Sequence, residues 1–325
     1  MGLAERRRFL LTSGLLLGAP LIARAQGIRA YAVGIVHLGG EYSAAVDGLR
    51  DGLKELGLNE GKQVKFLAHN LKGDRRSADS AARSLERQKV DLIYSVTTSV
   101  SIAVKRATNN VPVVFYAGTD PVRFGLVQSL ARPGGRFTGI YSQITSLMAK
   151  RLEVLKEMIP GLRRVAYFYD PRNPLAEEVT QAQRVAARQL DLQLVERSVD
   201  SAAALKASLN ALKPGDVDAV AYVDSLVVSQ TAMVIEIANA KRLAVMAPDR
   251  ASVAEGALAS YGVSYYRAGR LAAKQVERIL HGAAPSDLPV EQMDRLHFAI
   301  NLKAAGAIGL AIPQSVLVQA DEVVE

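Results

Sequence analysis

Cysteine and tryptophan are both absent from this 325-residue chain. Without cysteine there is no disulfide, no thiolate nucleophile and no thiolate-held metal, although an oxidising compartment stays open to the protein. Histidine is scarce. His37, His69, His281 and His297 lie far apart in different elements and share no helical or hairpin spacing of the kind that converging metal ligands need. Catalytic signatures are missing as well: there is no Gly-x-Ser-x-Gly, no phosphate loop ending in Gly-Lys-Ser/Thr, no Gly-x-Gly-x-x-Gly after the first strand and no His-Glu-x-x-His. The excess of positive charge is small once it is located. Of the formal net charge of +8, residues 1–25 carry Arg6, Arg7, Arg8 and Arg24 against Glu5, a share of +3. The other basic residues are interspersed with acids, which describes a mildly basic solvated surface and gives nucleic-acid binding no support.

The N-terminus has a definite character. Glu5-Arg6-Arg7-Arg8-Phe9-Leu10 leads into an apolar stretch from Leu10 to Ile22, then Ala23-Arg24-Ala25. A basic start, a short apolar core and an Ala-x-Ala site, in that order, predict an export signal over residues 1–25 with Gln26 as the mature start. The core is shorter than the roughly 20 residues of a membrane span. Arg6-Arg7-x-Phe-Leu also resembles the twin-arginine export signal. No cysteine follows the cleavage site, which excludes lipid anchoring, and no later run is long and apolar enough to span a membrane. A periplasmic protein is expected.

From Ile28 onward the chain alternates apolar β-rich runs with segments of helical spacing. Strands are predicted at Ile28–Leu38, Val64–Ala68, Val90–Val96 and Val111–Tyr116, with helices at Ser43–Leu56, Ser77–Gln88 and Val100–Ala107 between them. A further helix is expected from Pro121 to about Leu130, capped by Thr119 or Asp120 and ended by Arg132-Pro133-Gly134-Gly135, before a strand at Phe137–Tyr141. The alternation then restarts. Strands are expected at Arg164–Tyr169, Leu192–Ser198, Ala219–Val223, Ala244–Met246, Ala257–Val263 and His297–Leu302. Helices are expected at Ser146–Met158, Leu175–Leu190, Ala202–Leu212, Ser229–Lys241 and Tyr265–His281. This is an α/β chain of two doubly wound parallel-sheet lobes joined by a multi-strand hinge. One lobe is expected to hold residues 26–140 plus 260–289 and the other 141–259 plus 290–325.

Several predicted strands end in short polar loops: His37-Leu38-Gly39-Gly40, Thr97-Thr98-Ser99, Thr119-Asp120-Pro121, Asp170-Pro171 and Asp224-Ser225. Each alone is ordinary helix capping. Together, in two lobes, they outline a cleft lined by hydroxyls, backbone N–H groups and a few carboxylates. Helix N-termini and hydroxyls suit a ligand carboxylate, and an acid such as Asp224 suits a ligand ammonium. Tyr116, Tyr141, Tyr169 and Tyr261 sit near strand ends, where a ring can cover an apolar ligand body. His37 stands at the exit of the first strand, where it is a candidate to face the cleft.

Longer motifs carry a resemblance. They are Asp51-Gly52-Leu53-Lys54-Glu55-Leu56-Gly57, Thr119-Asp120-Pro121 with Gly125-Leu126-Val127, Arg132-Pro133-Gly134-Gly135 with Thr138-Gly139, Lys150-Arg151-Leu152-Glu153, Gly256-Ala257-Leu258-Ala259-Ser260-Tyr261-Gly262 and Asn301-Leu302-Lys303. With the export signal, they resemble the ABC-transporter substrate-binding proteins related to the tryptophan/tyrosine uptake type, over essentially the whole mature chain. The resemblance implies the type I periplasmic-binding fold, with hinge crossings near Gly139–Ser142, Ala257–Gly262 and Leu288–Gln292. It also implies that Thr97, Thr98, Ser99, Thr119 and Asp120 meet a ligand carboxylate and that the Asp224-Ser225 loop supplies an acid for an ammonium. Asp170 is expected on the same wall as Asp224. Two departures bear on the ligand. Tyr141-Ser142-Gln143, with Ser142 a candidate contact, replaces a Ser-Asp pair, and Pro248-Asp249-Arg250 replaces a more acidic loop. Arg250 near the cleft would favour an acidic ligand.

The sequence therefore predicts an exported, monomeric, non-enzymatic protein without cofactor or metal. It would carry a small organic ligand (an amino acid, or an aromatic or other carboxylate) to an ABC permease in the inner membrane. A sensory or adaptor protein of the same fold, and an exported enzyme using the cleft, are the rival readings. A DNA-binding repressor of the same fold class would begin with a helix pair instead of an export signal.

Overall fold

The computed structural model describes residues 30–293 and 295–325. The predicted export signal, residues 1–25, lies outside the described residues. The first unit is built from β1 (Tyr31–His37), α1 (Ser43–Glu55), β2 (Val64–Asn70), α2 (Ala78–Arg87), β3 (Leu92–Val96), α3 (Thr98–Ala107), β4 (Val113–Ala117) and β5 (Phe137–Tyr141). β3, β4 and β5 are buried at every position. A strand covered by helices on both faces reads as an unbroken apolar run, which is why the sequence disclosed these. The second unit follows: α4 (Ile144–Met158), β6 (Arg164–Tyr169), α5 (Ala176–Gln189), β7 (Gln193–Ser198), α6 (Ala202–Asn210), β8 (Ala219–Ala221), α7 (Ser225–Val228), α8 (Thr231–Ala240), β9 (Ala244–Ala247), α9 (Ala251–Ala254) and β10 (Ala259–Gly262). The chain then returns to the first unit with α10 (Tyr265–Leu280) and β11 (Glu291–Gln292). It ends in the second with β12 (His297–Asn301), α11 (Leu302–Ala307), α12 (Gln314–Leu317) and β13 (Glu322–Val324).

The first sheet has the order β11-β5-β4-β3-β1-β2 and the second β13-β12-β10-β9-β8-β6-β7. The pairings are parallel except for β10 with β12, which is antiparallel. The crossings between units fall at Ser142–Gln143, at Val263–Ser264 and between β11 and β12. Residues 260–262, expected with the first lobe, pair in the second sheet. Glu291 and Gln292, expected with the second lobe, pair with Ile140 and Tyr141 in the first. Both strands are short, so their apolar pattern is too brief to fix an edge.

One predicted helix does not form. Residues 121–130 make a series of turns instead. Gly125 takes φ +65 and interrupts any helical run. Leu126 and Val127 turn into the core, and the Lys105 ammonium donates to the carbonyls of Gly125 and Leu126. The predicted helix Ser229–Lys241 begins at Thr231, with the separate turn of α7 before it.

α10 anchors its return by a close crossing over α1. A Cβ on Gly269 would lie 2.0 Å from the Ala45 oxygen and 2.7 Å from the Leu49 nitrogen, and one on Gly48 would lie 2.0 Å from the Tyr266 oxygen. These neighbours are backbone and cannot rotate away. Gly269→Ala is expected to push the helices apart and lower stability by about 2 kcal/mol, within the usual range for overpacking. A chemical-denaturation midpoint equal to that of the parent protein would contradict this packing.

Candidate functional site

Both sheets contain the same order of strands around a switch point. β1 and β3 flank it in the first, β6 and β8 in the second, and in such sheets the crevice beyond the strands' carboxyl ends receives ligands. The two switch points face each other. Between them lies a cleft with about 520 Å³ of space, its open part included.

The first wall is the start of α3. Thr97 precedes it with φ 92, a conformation in which a β-branched residue is a genuine outlier. Its hydroxyl accepts the Val100 N–H at 3.3 Å and lies 3.2 Å from the Ser99 hydroxyl. Thr98 Oγ1 accepts the Gly118 N–H at 3.0 Å and sits 3.1 Å from Thr119 Oγ1. The backbone N–H groups of Thr98 and Ser99 belong to the first turn of a helix, where no intrahelical acceptor exists. Thr97, Thr98, Ser99, Gly118 and Thr119 all line the cleft.

Asp224 stands on the second wall. It caps α7 by accepting the Leu226 N–H at 2.9 Å, and its other oxygen accepts Asn173 Nδ2 at 2.9 Å. Asp224 is buried, and burial pushes its carboxyl above the usual value although these hydrogen bonds oppose the shift. Among the described residues no cation pairs with it. Ser225 Oγ is 3.5 Å from Ser99 Oγ across the cleft. The rest of the lining is aromatic and aliphatic, with Tyr42, Tyr116, Tyr167 and Tyr265 joined by Ile144 and Val179.

Of the residues singled out in the sequence, Thr97, Thr98, Ser99, Thr119 and Asp224 meet in this cleft. The other five do not line it. His37 is buried, its Nδ1 accepts the Gly39 N–H at 3.2 Å, and burial and the Arg50 charge lower its pKa to about 4. It is a neutral support for the turn after β1. Asp120 is exposed and accepts the Val122 N–H at 2.8 Å, closing a turn. Ser142 lies behind the wall, 3.0 Å from the Tyr116 hydroxyl, and orients that ring. Asp170 faces outward from the cleft and bridges the units, because Arg75 donates to it at 2.7 Å. Burial raises the Asp170 carboxyl, but the Arg172 hydrogen bonds and the charges of both arginines outweigh it and hold it below the usual range. Arg250 is corrected most clearly: its guanidinium is on the surface, paired with Glu322, so it brings no positive charge to the cleft.

Among the tyrosines, Tyr116 lines the cleft. Tyr141 instead bonds Gln292 at 2.9 Å, Tyr169 stacks on Tyr167 with ring centroids 5.7 Å apart, and Tyr261 packs edge-on to Phe298. Tyr42, Tyr265 and Asn173 escaped the sequence reading. Their signal was positional, since each stands within a few residues of a strand exit. Among the described residues no group of three or more His, Asp or Glu side chains is arranged to hold a metal, and no helix is long and apolar enough to cross a membrane.

The chain is similar to known proteins over most of its length. The family profile described as ABC transporter substrate binding protein matches residues 33–324. A tyrosine-binding protein of Clostridioides difficile is 29% identical over 283 residues, covering 86% of this chain and 81% of that protein. Among solved structures, an ABC domain in complex with L-Trp from Streptococcus pneumonia superposes with a TM-score of 0.80 at 25% identity, covering 91% of this chain and 100% of the other. A ligand-free, open substrate-binding protein with adhesive properties from Clostridium difficile gives 0.60 at 26% identity, covering 91% and 99%.

Proposed function

The chain belongs to the ABC transporter substrate-binding protein family, and on that premise we propose that it captures an α-amino acid with an aromatic or other apolar side chain and delivers it to a membrane permease. The observation that carries this reading is Asp224, a buried carboxylate with no ion pair among the described residues, facing the hydroxyls and free N–H groups at the start of α3. A ligand ammonium supplies the missing partner, and a ligand carboxylate suits the helix N-terminus opposite. The tyrosines, Ile144 and Val179 leave an apolar space for the side chain. The motifs of residues 1–25 place the protein outside the cytoplasm in this reading.

The mechanism is closure of the lobes around the ligand. The arrangement described here corresponds to the closed form. In support, the chain superposes better on the L-Trp complex than on the open, ligand-free relative, at nearly equal identity. A thermal-shift screen tests the ligand class. L-Trp, L-Tyr and L-Phe are expected to raise the melting temperature, and dicarboxylates and sugars to leave it unchanged, because only a ligand of the folded state stabilises it. Stabilisation by dicarboxylates and by no amino acid would overturn the reading.

Closure also brings Arg75 onto Asp170. The two side chains are 14% and 5% exposed, so bulk salt screens the pair only partly. Arg75→Ala is expected to weaken ligand binding about tenfold by removing a bond made in the closed form, while Arg172 still neutralises Asp170. Unchanged affinity in a calorimetric titration would show that this pair does not hold the lobes together.

A further inference from the structure

A second buried polar cluster lies at the junction of the lobes, and Glu41 is incompletely satisfied in it, as is Arg151. Glu41 follows β1 in the first unit, yet its side chain enters the second. There its Oε1 accepts a hydrogen bond from the Ser252 hydroxyl of α9, and its Oε2 has no hydrogen-bond partner among the described residues. The residue is 8% exposed. An ionised carboxylate held by one hydroxyl away from water is strongly disfavoured.

We propose that closing the cleft takes up a proton at Glu41, so that the closed form is favoured as pH falls. The proposal rests on the reading that the lobes open and close around a ligand. Opening withdraws Glu41 from Ser252 and returns it to water.

The neighbours of Glu41 decide where the proton sits. α4 contributes Arg151, the segment at α9 contributes Asp249 and Glu255, and α8 contributes Thr231. Tyr42, Tyr222 and Tyr265 complete the surroundings as neutral hydroxyls. Arg151 is a buried cation whose Nε donates to the Tyr261 carbonyl at 2.6 Å. Asp249 accepts backbone N–H groups from Ala251 at 2.8 Å and Tyr265 at 3.0 Å. Asp249 thus has two backbone donors to support an ionised form, whereas Glu41 has the Ser252 hydroxyl, so Glu41 is the acid left neutral. Burial, and then the Asp249 charge, push the Glu41 carboxyl well above its usual value, against smaller opposing effects of Thr231 and Arg151.

The sign follows from linkage. The closed-state value exceeds the open-state one, so the advantage to closure is complete below the open-state value. It is lost as pH rises towards the closed-state value, by up to about tenfold in the closed-to-open ratio per pH unit for one proton. Buried Asp224 and Asp249 add slopes of their own, which a change at Glu41 leaves in place.

The absence of cysteine makes the test clean. Spin labels on Val122→Cys and Glu177→Cys flank the Arg123–Glu178 pair that joins the lobes at 2.8 Å. The distance distribution is recorded on the full chain between about pH 5 and pH 8.5, without ligand and with L-tryptophan. The parent is expected to lose closed population as pH rises. Glu41→Gln is expected to flatten that response by one proton and to be at least as closed at neutral pH. Glu41→Leu provides a second non-titrating variant should the first fail to fold. A pH profile that is the same in parent and variant, including no response in either, would overturn the proposal. No response to L-tryptophan at any pH would count against the ligand class and leave the comparison of pH profiles intact.

Discussion

Asp224→Asn is expected to weaken binding of an aromatic amino acid by about 100-fold or more, as removing one partner of a buried charge pair does. The substitution keeps the shape of the side chain and an oxygen for the Leu226 N–H, so the fold is expected to persist. The hydrogen bond from Asn173 Nδ2 is lost, but an ionised carboxyl is no longer held in a buried site, so stability is expected to change little. Loss of affinity with a nearly unchanged melting temperature is therefore the signature sought by calorimetry and thermal denaturation. The same residue sets an acid limit. Its value in the empty protein is raised by burial, and a bound ammonium lowers it. Affinity is thus present above the raised value and lost as pH falls through it, beginning at a higher pH than an exposed aspartate would allow. Full affinity in Asp224→Asn would remove the ammonium from the account.

Gly40→Ala is expected to cost about as much affinity by a different route. Gly40 lies in the turn after β1 with φ +56, and a Cβ there would stand 2.3 Å from the Ser229 oxygen and 2.6 Å from its carbonyl carbon. Ser229 belongs to the other lobe, between α7 and α8. The clash exists only when the lobes meet, so it raises the free energy of the closed form alone. The left-handed backbone adds a cost of about 1 kcal/mol in both forms. The variant should fold with slightly lower stability, bind at least about 100-fold more weakly, and remain expanded in small-angle scattering when ligand is added. Compaction on ligand addition equal to that of the parent would mean that the lobes do not close on this contact.

The sequence disclosed the parts of the fold that are governed by local pattern. The strands buried on both faces, β3 and β4, and the amphipathic helices α1 and α10 were legible because their periodicity is long and unbroken. Short elements were not. β11 and β13 have two and three residues and exist because a neighbouring strand offers free backbone groups, which no window of sequence reveals. The site divides the same way. Thr97–Ser99 and Asp224 were visible as strand exits that become helix starts, and Thr119 as a strand exit that leads into a turn. Arg250 and Asp170 have the same local appearance, and their direction is set by partners far away in sequence: Glu322 for one, Arg75 for the other. Asn173 was hidden inside a proline-bounded loop, and its use depends on Asp224, 51 residues on. Long-range pairing, which local pattern does not encode, separates a cap that faces the cleft from one turned to an ion pair elsewhere.

The central claim is that the cleft reads both charged groups of a free amino acid, the carboxylate at the start of α3 and the ammonium at Asp224. The most direct measurement is a calorimetric titration with L-tryptophan, with tryptamine, which lacks the carboxylate, and with indole-3-propionate, which lacks the ammonium. The matching tyrosine series is run alongside. The parent amino acid is expected to bind at least about 100-fold more tightly than either truncated analogue, since each leaves one buried charged site unpaired. Binding of the propionate as tight as that of the amino acid would contradict the role given to Asp224 and, with it, the proposed ligand.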